Sequence, residues 1–179
     1  MLEDKQLIFK FKHGDKDALR QIYEKYKDAM YNIANSLLNE PAAAEDVLHD
    51  VIVAFARSAP SFRLYGSLKN YLVVCVLNRS RDMLRSRIYN IVEIERAKDT
   101  VHAKINPQEQ AVENENTAMI SKALAQVPLP QREIIILHLN ADLTFREIAE
   151  IQHISINTVQ GRYRYGLEKL RAILNGQIL

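Results

Sequence analysis

The sequence predicts an all-α protein: two small helical domains joined by a flexible linker, the second a helix-turn-helix of the winged-helix-like, three- or four-helix kind. Three observations predict it. Glycine and proline number only five each in 179 residues, apolar residues recur at steps of three and four along most of the chain, and one acidic polar stretch interrupts that recurrence.

The first clear stripe begins at Ala18 and runs through Leu19, Ile22, Tyr23, Tyr26, Ala29, Met30, Ile33, Ala34, Leu37 and Leu38. Arg20, Gln21, Glu24, Lys25, Lys27 and Asp28 fill the other face, so one side of this helix is expected to be buried. Asn39-Glu40-Pro41 then punctuates, with Pro41 suited to the first turn of a second helix. That helix has Ala44, Val47, Leu48, Val51, Ile52, Ala54 and Phe55 inward and an acidic outer side at Glu45, Asp46 and Asp50, with His49. Ser58 to Ser61 ends it, and a loop follows through Phe62-Arg63-Leu64-Tyr65-Gly66. Ser67 is placed to cap a third helix, whose inward positions are Leu68, Tyr71, Leu72, Cys75 and Val76. It finishes basic, with Arg79, Arg81, Arg85 and Arg87 against Asp82 alone.

Between Glu93 and Asn116 the chain carries six acidic and three basic residues, few large apolar ones and the Asn106-Pro107 breaker. A stretch of this length is longer than a loop inside a compact domain. The expected boundaries are therefore a first domain over residues 1–90, a linker over 91–116 and a second domain over 117–179. The second domain restarts near Thr117 with Ile120, Ala123, Leu124 and Val127 inward. Pro128-Leu129-Pro130 breaks that helix, and Gln131–Leu139 forms the next.

Thr144-Phe145-Arg146-Glu147 then reads as a capping box, in which threonine hydroxyl and glutamate carboxylate satisfy each other's backbone amides. Ile148, Ala149 and Ile151 make the buried side of a helix of two turns, Gln152-His153-Ile154 the turn, and Ser155 the cap of a last helix. There Val159, Tyr163, Leu167, Leu170, Ile173 and Leu174 share one side. Asn157, Gly161, Arg164 and Tyr165 lie opposite, flanked by Gln160, Arg162, Lys169 and Arg171. A short capped helix, a tight turn and a longer basic helix suit insertion into the major groove. There Asn, Gln and Arg read base edges and flanking cations meet phosphates. The competing reading is an amphipathic hairpin with a solvated basic face. Gly161 in mid-helix on the outer face suggests close approach of a partner, DNA being the natural one.

Bulk properties exclude other classes. Apolar residues make up 47% and charged residues 26%, which is globular composition, and a net charge of +2 leaves any basic footprint local. Cys75 is alone, the N-terminus has no long apolar core, and no run approaches a membrane span, so a soluble, cytoplasmic protein without a signal peptide or membrane insertion is expected. The histidines at 13, 49, 102, 138 and 153 fall in no metal-ligand spacing, and no glycine-rich phosphate loop is present. No catalytic residue, metal or cofactor is expected. A ligand-sensing DNA-binding regulator is the other rival, but its first domain should offer an apolar pocket rather than an acidic helix and a basic helix end.

The order of these pieces resembles the extracytoplasmic-function group of bacterial sigma-70 factors across nearly the whole chain. The resemblance is carried by Ala18–Tyr26, Ala44-Glu-Asp-Val-Leu-His-Asp-Val, Ser67-Leu-Lys-Asn-Tyr-Leu through Asn78, and Asp82-Met-Leu-Arg85. In the second domain it is carried by Val127-Pro-Leu-Pro-Gln-Arg132, Leu143–Ala149 and Ser155–Arg162. It implies a factor that binds core RNA polymerase and directs initiation from −10 and −35 promoter elements. Asp46, Val47, His49, Asp50 and Val53 would dock on the β′ clamp coiled coil. Arg63, Tyr65, Asn78, Arg79, Asp82 and Arg85 would meet the −10 strand as it opens. Arg132, Thr144, Asn157, Thr158, Gln160, Gly161, Arg162 and Arg164 would meet the −35 duplex. An anti-sigma factor is the implied regulator. Bland alternatives stay open: a solvated flank at Asp46 and Asp50, a helix-end cap at Asn78, a core role for Phe62, an i,i+3 or i,i+4 partnership of Asp82 with Arg79 or Arg85, and a plain tether for the linker. The chain departs from the family pattern at His153, where glycine is usual, and at Gly161, where serine is common. It also departs at Tyr165-Gly166 and at His49-Asp50.

Overall fold

The computed structural model describes residues 2–97 and 115–176, all of them helical or in short connections. The acidic stretch assigned to the linker lies for the most part outside the described residues. Among the described residues eight α-helices follow in order: α1 (Leu2–Lys12), α2 (Lys16–Leu38), α3 (Pro41–Ser58), α4 (Leu68–Ala97), α5 (Glu115–Ala125), α6 (Leu129–Leu139), α7 (Phe145–Gln152) and α8 (Ile156–Leu174).

Helix α1 has no counterpart in the periodicity, which becomes clear only at Ala18. Among its described side chains, three apolar ones are buried, Leu7, Ile8 and Phe11. Its place is fixed from a distance instead: Lys25 Nζ of α2 lies 2.7 Å from Glu3 and 2.8 Å from Asp4, and the Tyr26 hydroxyl donates to Asp4 at 3.0 Å. Burial and the bond to Asp4 push the Tyr26 phenol up to about 12. Asp15 caps α2 by accepting from the Asp17 and Ala18 amides, and Asn39 ends it in the left-handed region at φ 52°. Pro41 stands in the first turn of α3, as its spacing predicts. Glu40 makes no cap bond there; its carboxylate meets Arg87 of α4 at 2.6 Å.

The first domain closes around an aromatic cluster. Phe11 stacks on Phe55 with centroids 4.4 Å apart, and Phe62 sets its edge on Phe55 at 5.1 Å and on Tyr71 at 5.0 Å. Phe62 is therefore core, and the bland reading of that residue holds. Helix α4 runs well past Ser86, where the sequence changes character, so Asn78 lies in mid-helix and is not a helix-end cap.

In the second domain α6 starts two residues early, at Leu129, because Pro130 fits a first helical turn. Ile120 and Leu174, both expected inward, are exposed, and Leu174 borders an open groove of 490 Å³ with Met119 and Ile173.

Candidate nucleic-acid interface

The helix-turn-helix is built by local bonds. Thr144 Oγ1 accepts from the Glu147 amide at 3.3 Å, and Glu147 Oε2 accepts from the Thr144 amide at 2.9 Å and its hydroxyl at 2.8 Å. The Thr144 amide and hydroxyl hold the Glu147 carboxyl below the usual glutamate range. His153 then turns the chain at φ 54°, the left-handed conformation that explains why glycine is usual here. Its amide reaches back to the Ala149 and Glu150 carbonyls. Ser155 caps α8 by accepting from the Thr158 amide at 3.1 Å.

Packing fixes the angle between the two helices. Ile148 of α7 and Val159 of α8 are both fully buried in the core. Behind them His138, Phe145 and Tyr163 form an aromatic trio, with His138 Nδ1 donating to the Leu143 carbonyl at 2.8 Å. Gly166 is where packing against α6 side chains leaves least room: an added Cβ would stand 2.9 Å from Ile135 Cδ1 and 3.1 Å from Gln131 Cβ. At Gly161 an added Cβ would meet nothing within 4 Å. The sequence singled out the outward glycine and passed over the inward one, since a period alone does not show which neighbour lacks room.

The outer face of α8 carries Asn157, Thr158, Gln160 and Arg164, all exposed. Arg164 lies over the ring of Tyr165, 4.9 Å from its centroid. Arg162 is half-buried and turns toward the first domain. Arg132 does not present its guanidinium freely: Nη1 donates to the Ala125 carbonyl at 3.2 Å, and burial holds its pKa below the usual arginine value. Arg132 is a half-buried clasp on the end of α5, and its expected place on the duplex surface is left as an expectation.

On the first domain Arg63 and Tyr65 stand out from the loop, Tyr65 at 85% exposure. Asn78, Arg79, Asp82 and Arg85 are exposed along α4. Asp82 pairs with Arg85 at 3.6 Å, while Arg79 turns to Asp50 of α3, with Nε at 2.8 Å and Nη2 at 2.6 Å. Asp46, His49 and Asp50 are exposed on α3. His49 borders an open groove of 660 Å³ between α2 and α3, with Arg20, Tyr23, Lys27 and Glu45. Val53 is half-buried. Val47 is fully buried at 0% exposure and is removed from the docking set; it serves the core beneath that face.

Sequence reasoning missed Glu133 altogether. It is buried in α6 yet charged, and both its oxygens are 2.6 Å from the Arg81 guanidinium. An isolated Glu in an apolar run, Glu133 before Ile134-Ile135-Ile136-Leu137, was the available signal.

A helical domain with an acidic helix face and a basic helix, followed by a capped helix-turn-helix with a polar outer face, has the form of a two-domain DNA-binding transcription factor. Comparison with known proteins narrows this. The model of Sigma-70 region 2 matches residues 22–88, and that of Sigma-70, region 4 matches residues 117–170. The chain is 27% identical to ECF RNA polymerase sigma factor SigW of Bacillus subtilis (strain 168), covering 93% of this chain and 94% of that protein. It is 25% identical to SigX of the same organism, over 87% and 82%. Among solved structures, CnrH in complex with the cytosolic domain of CnrY matches with a TM-score of 0.72 and 22% identity, over 98% of this chain and 99% of that one. RpoE in complex with the anti-sigma factor NepR from Bartonella quintana matches at 0.69 and 23%, over 87% and 96%. The chain belongs to the sigma-70 family of RNA polymerase sigma factors, in its extracytoplasmic-function group. That family is one of initiation factors that direct polymerase to promoters. Among the described residues no helix is long and apolar enough to cross a membrane.

Proposed function

We propose a division of labour across the two domains: the first docks on core polymerase and captures the −10 strand, and the second reads the −35 duplex. The observation that carries it is the presence of both region models, in order, on one chain. Asp46, His49 and Asp50 give α3 a charged face suited to a basic polymerase surface, with Val53 at its edge, and the β′ clamp coiled coil is the surface proposed. Arg63, Tyr65, Asn78, Arg79, Asp82 and Arg85 are assigned to opened −10 DNA, where an exposed aromatic ring can stack on an unpaired base. Arg79 would exchange Asp50 for a phosphate on the way. Thr144, Asn157, Thr158, Gln160, Gly161, Arg162 and Arg164 are assigned to the −35 duplex. Asn157 and Arg164 are the base readers, Gly161 offers only backbone, and Arg162 grips phosphate. The domain boundaries proposed are 1–90 and 117–179, with 91–116 setting their separation.

The chain catalyses no reaction in this scheme and works in the cytoplasm beside polymerase. An anti-sigma protein is its proposed regulator, since a protein of this fold is solved with such a partner, and the α2–α3 groove beside His49 is a surface one could cover.

The test pairs two variants of the full chain. Asp46→Lys should weaken binding to core polymerase by about tenfold or more and leave unchanged the affinity for a duplex selected from a random pool. Arg164→Ala should do the reverse, costing about 1–3 kcal/mol on that duplex. Equal losses in both assays for either variant contradict the division.

A further inference from the structure

Helix α1 contributes no residue to the surfaces proposed above. Its buried side, Leu7, Ile8 and Phe11, faces the core. At about 100° per residue, Lys5, Gln6, Phe9 and Lys12 share the opposite side, with Lys10 at its edge and His13 just past the helix end. All six are exposed, Phe9 at 66%. His13 Nδ1 donates to the Phe9 carbonyl at 2.8 Å, and the two rings lie with centroids 4.5 Å apart as one aromatic surface. The nearest carboxylates are engaged elsewhere: Glu3 and Asp4 hold Lys25 of α2 at 2.7 and 2.8 Å, and Asp15 accepts from the first amides of α2. Among the described residues Lys5, Lys10 and Lys12 make no ion pair.

The place of α1 in the fold supplies an occupant for this face. On the inner side Phe11 stacks on Phe55 at 4.4 Å and meets the edge of Phe62 at 6.0 Å, and α1 packs on the turn Ala59–Ser61. Phe62 opens the loop that carries Arg63 and the exposed Tyr65, to which opened −10 DNA is assigned. Helix α1 thus stands at the root of that loop, and a strand leaving Tyr65 on that side meets cations and a second aromatic surface. Other occupants of a basic face with an aromatic centre fit less well. A duplex keeps its bases stacked on one another and offers Phe9 no free base. A bilayer takes a helix with a broad apolar face, whereas Leu7, Ile8 and Phe11 are turned inward. An unpaired strand presents what lysines and aromatic rings both take, phosphates along its backbone and bases with open π-faces.

We propose that the outward face of α1, Phe9 and His13 among Lys5, Lys10 and Lys12, is a second platform for single-stranded DNA that continues the strand path past Tyr65. The proposal rests on the strand-capture reading of the first domain, and its test separates the two. The chain has no tryptophan, so Phe9→Trp in the full chain places a single indole on this face. Its emission should be quenched by an oligothymidylate of about twelve nucleotides. The same strand paired with oligoadenylate, or phosphatidylserine vesicles, should leave it unquenched. In anisotropy of the labelled single strand, Phe9→Trp should bind like wild type and Phe9→Ala about tenfold more weakly. Both should melt at the wild-type temperature, because the ring is exposed, and bind duplex as wild type does. Lys5→Gln together with Lys12→Gln should lower the salt slope on the single strand by about 1.4, at about 0.7 for each phosphate contact. An unquenched Phe9→Trp, a single-strand affinity unchanged by Phe9→Ala, or an indole that responds to vesicles alone would each overturn the platform. Tyr65→Ala tells the two readings apart. A loss of single-strand affinity there with none at Phe9→Ala removes α1 and leaves strand capture standing; a loss at Phe9→Ala with none at Tyr65→Ala keeps the α1 face and removes the loop.

Discussion

The two domains set their polar surfaces by opposite means. In the helix-turn-helix the decisive bonds join residues three apart: Thr144 to Glu147 and Ser155 to Thr158. In the first domain they join distant segments: Arg79 to Asp50, 29 residues away, Arg87 to Glu40, and Lys25 to Glu3 and Asp4. A reading head must hold its recognition helix at one angle, and local caps with a small core achieve that autonomously. The first domain, for which docking and strand capture are proposed, instead keeps its cations on carboxylates that a stronger anion can replace. Exposed pairs of this kind contribute little to stability, so their exchange is cheap.

The largest effect that would sharpen this contrast is at the two glycines of α8. Gly166→Val should cost about 1–3 kcal/mol, because the new side chain has nowhere to go against Ile135 and Gln131. Gly161→Ala has open space and should instead gain up to about 1 kcal/mol of helix propensity. Thermal melting of both variants checks this, and similar destabilisation by both would refute the packing argument. The same Gly161→Ala protein should lose −35 affinity if backbone approach matters there, and unchanged affinity would remove Gly161 from the interface.

Next in size is the capping box. Thr144→Ala should lower stability by about 1 kcal/mol, read by denaturant unfolding. It should also change the acid response. The Glu147 carboxyl is depressed in the folded chain, so its contribution is full above the ordinary glutamate value and fades as pH falls through the lower folded one. Wild type should therefore lose helix-turn-helix protection on acidification more steeply than Thr144→Ala, as followed by amide exchange. Parallel acid profiles would show that the box is idle. Smallest is Asp50→Asn, which should move stability by less than about 1 kcal/mol while freeing Arg79. A large loss of stability there would break the claim that the first domain's ion pairs are exchangeable.

This contrast also decides what was legible in the sequence. Period and caps are local, so the stripes of α2, α3 and α8, the box at Thr144 and the cap at Ser155 could be read directly. Helix α1 could not, because its apolar residues, clustered at Leu7, Ile8, Phe9 and Phe11, give too little period and its anchors lie on α2. Among site residues, one-dimensional spacing placed Asp46, Asn157, Gln160 and Arg164 on exposed faces, where they stand. It put Val47 beside Asp46 in the docking set, although adjacent helical positions point apart and Val47 belongs to the core. Arg132 and Glu133 were opaque for a related reason: what they touch, the end of α5 and Arg81, is brought near only by the fold.

The most direct measurement is run-off transcription with purified core polymerase and a promoter selected from a random pool by the reconstituted holoenzyme. The account predicts initiation that depends on this chain, requires two sequence elements at a fixed separation, and collapses when base pairs are inserted between them. A chain that binds duplex DNA through α8 yet neither joins core polymerase nor supports initiation from any template would contradict it.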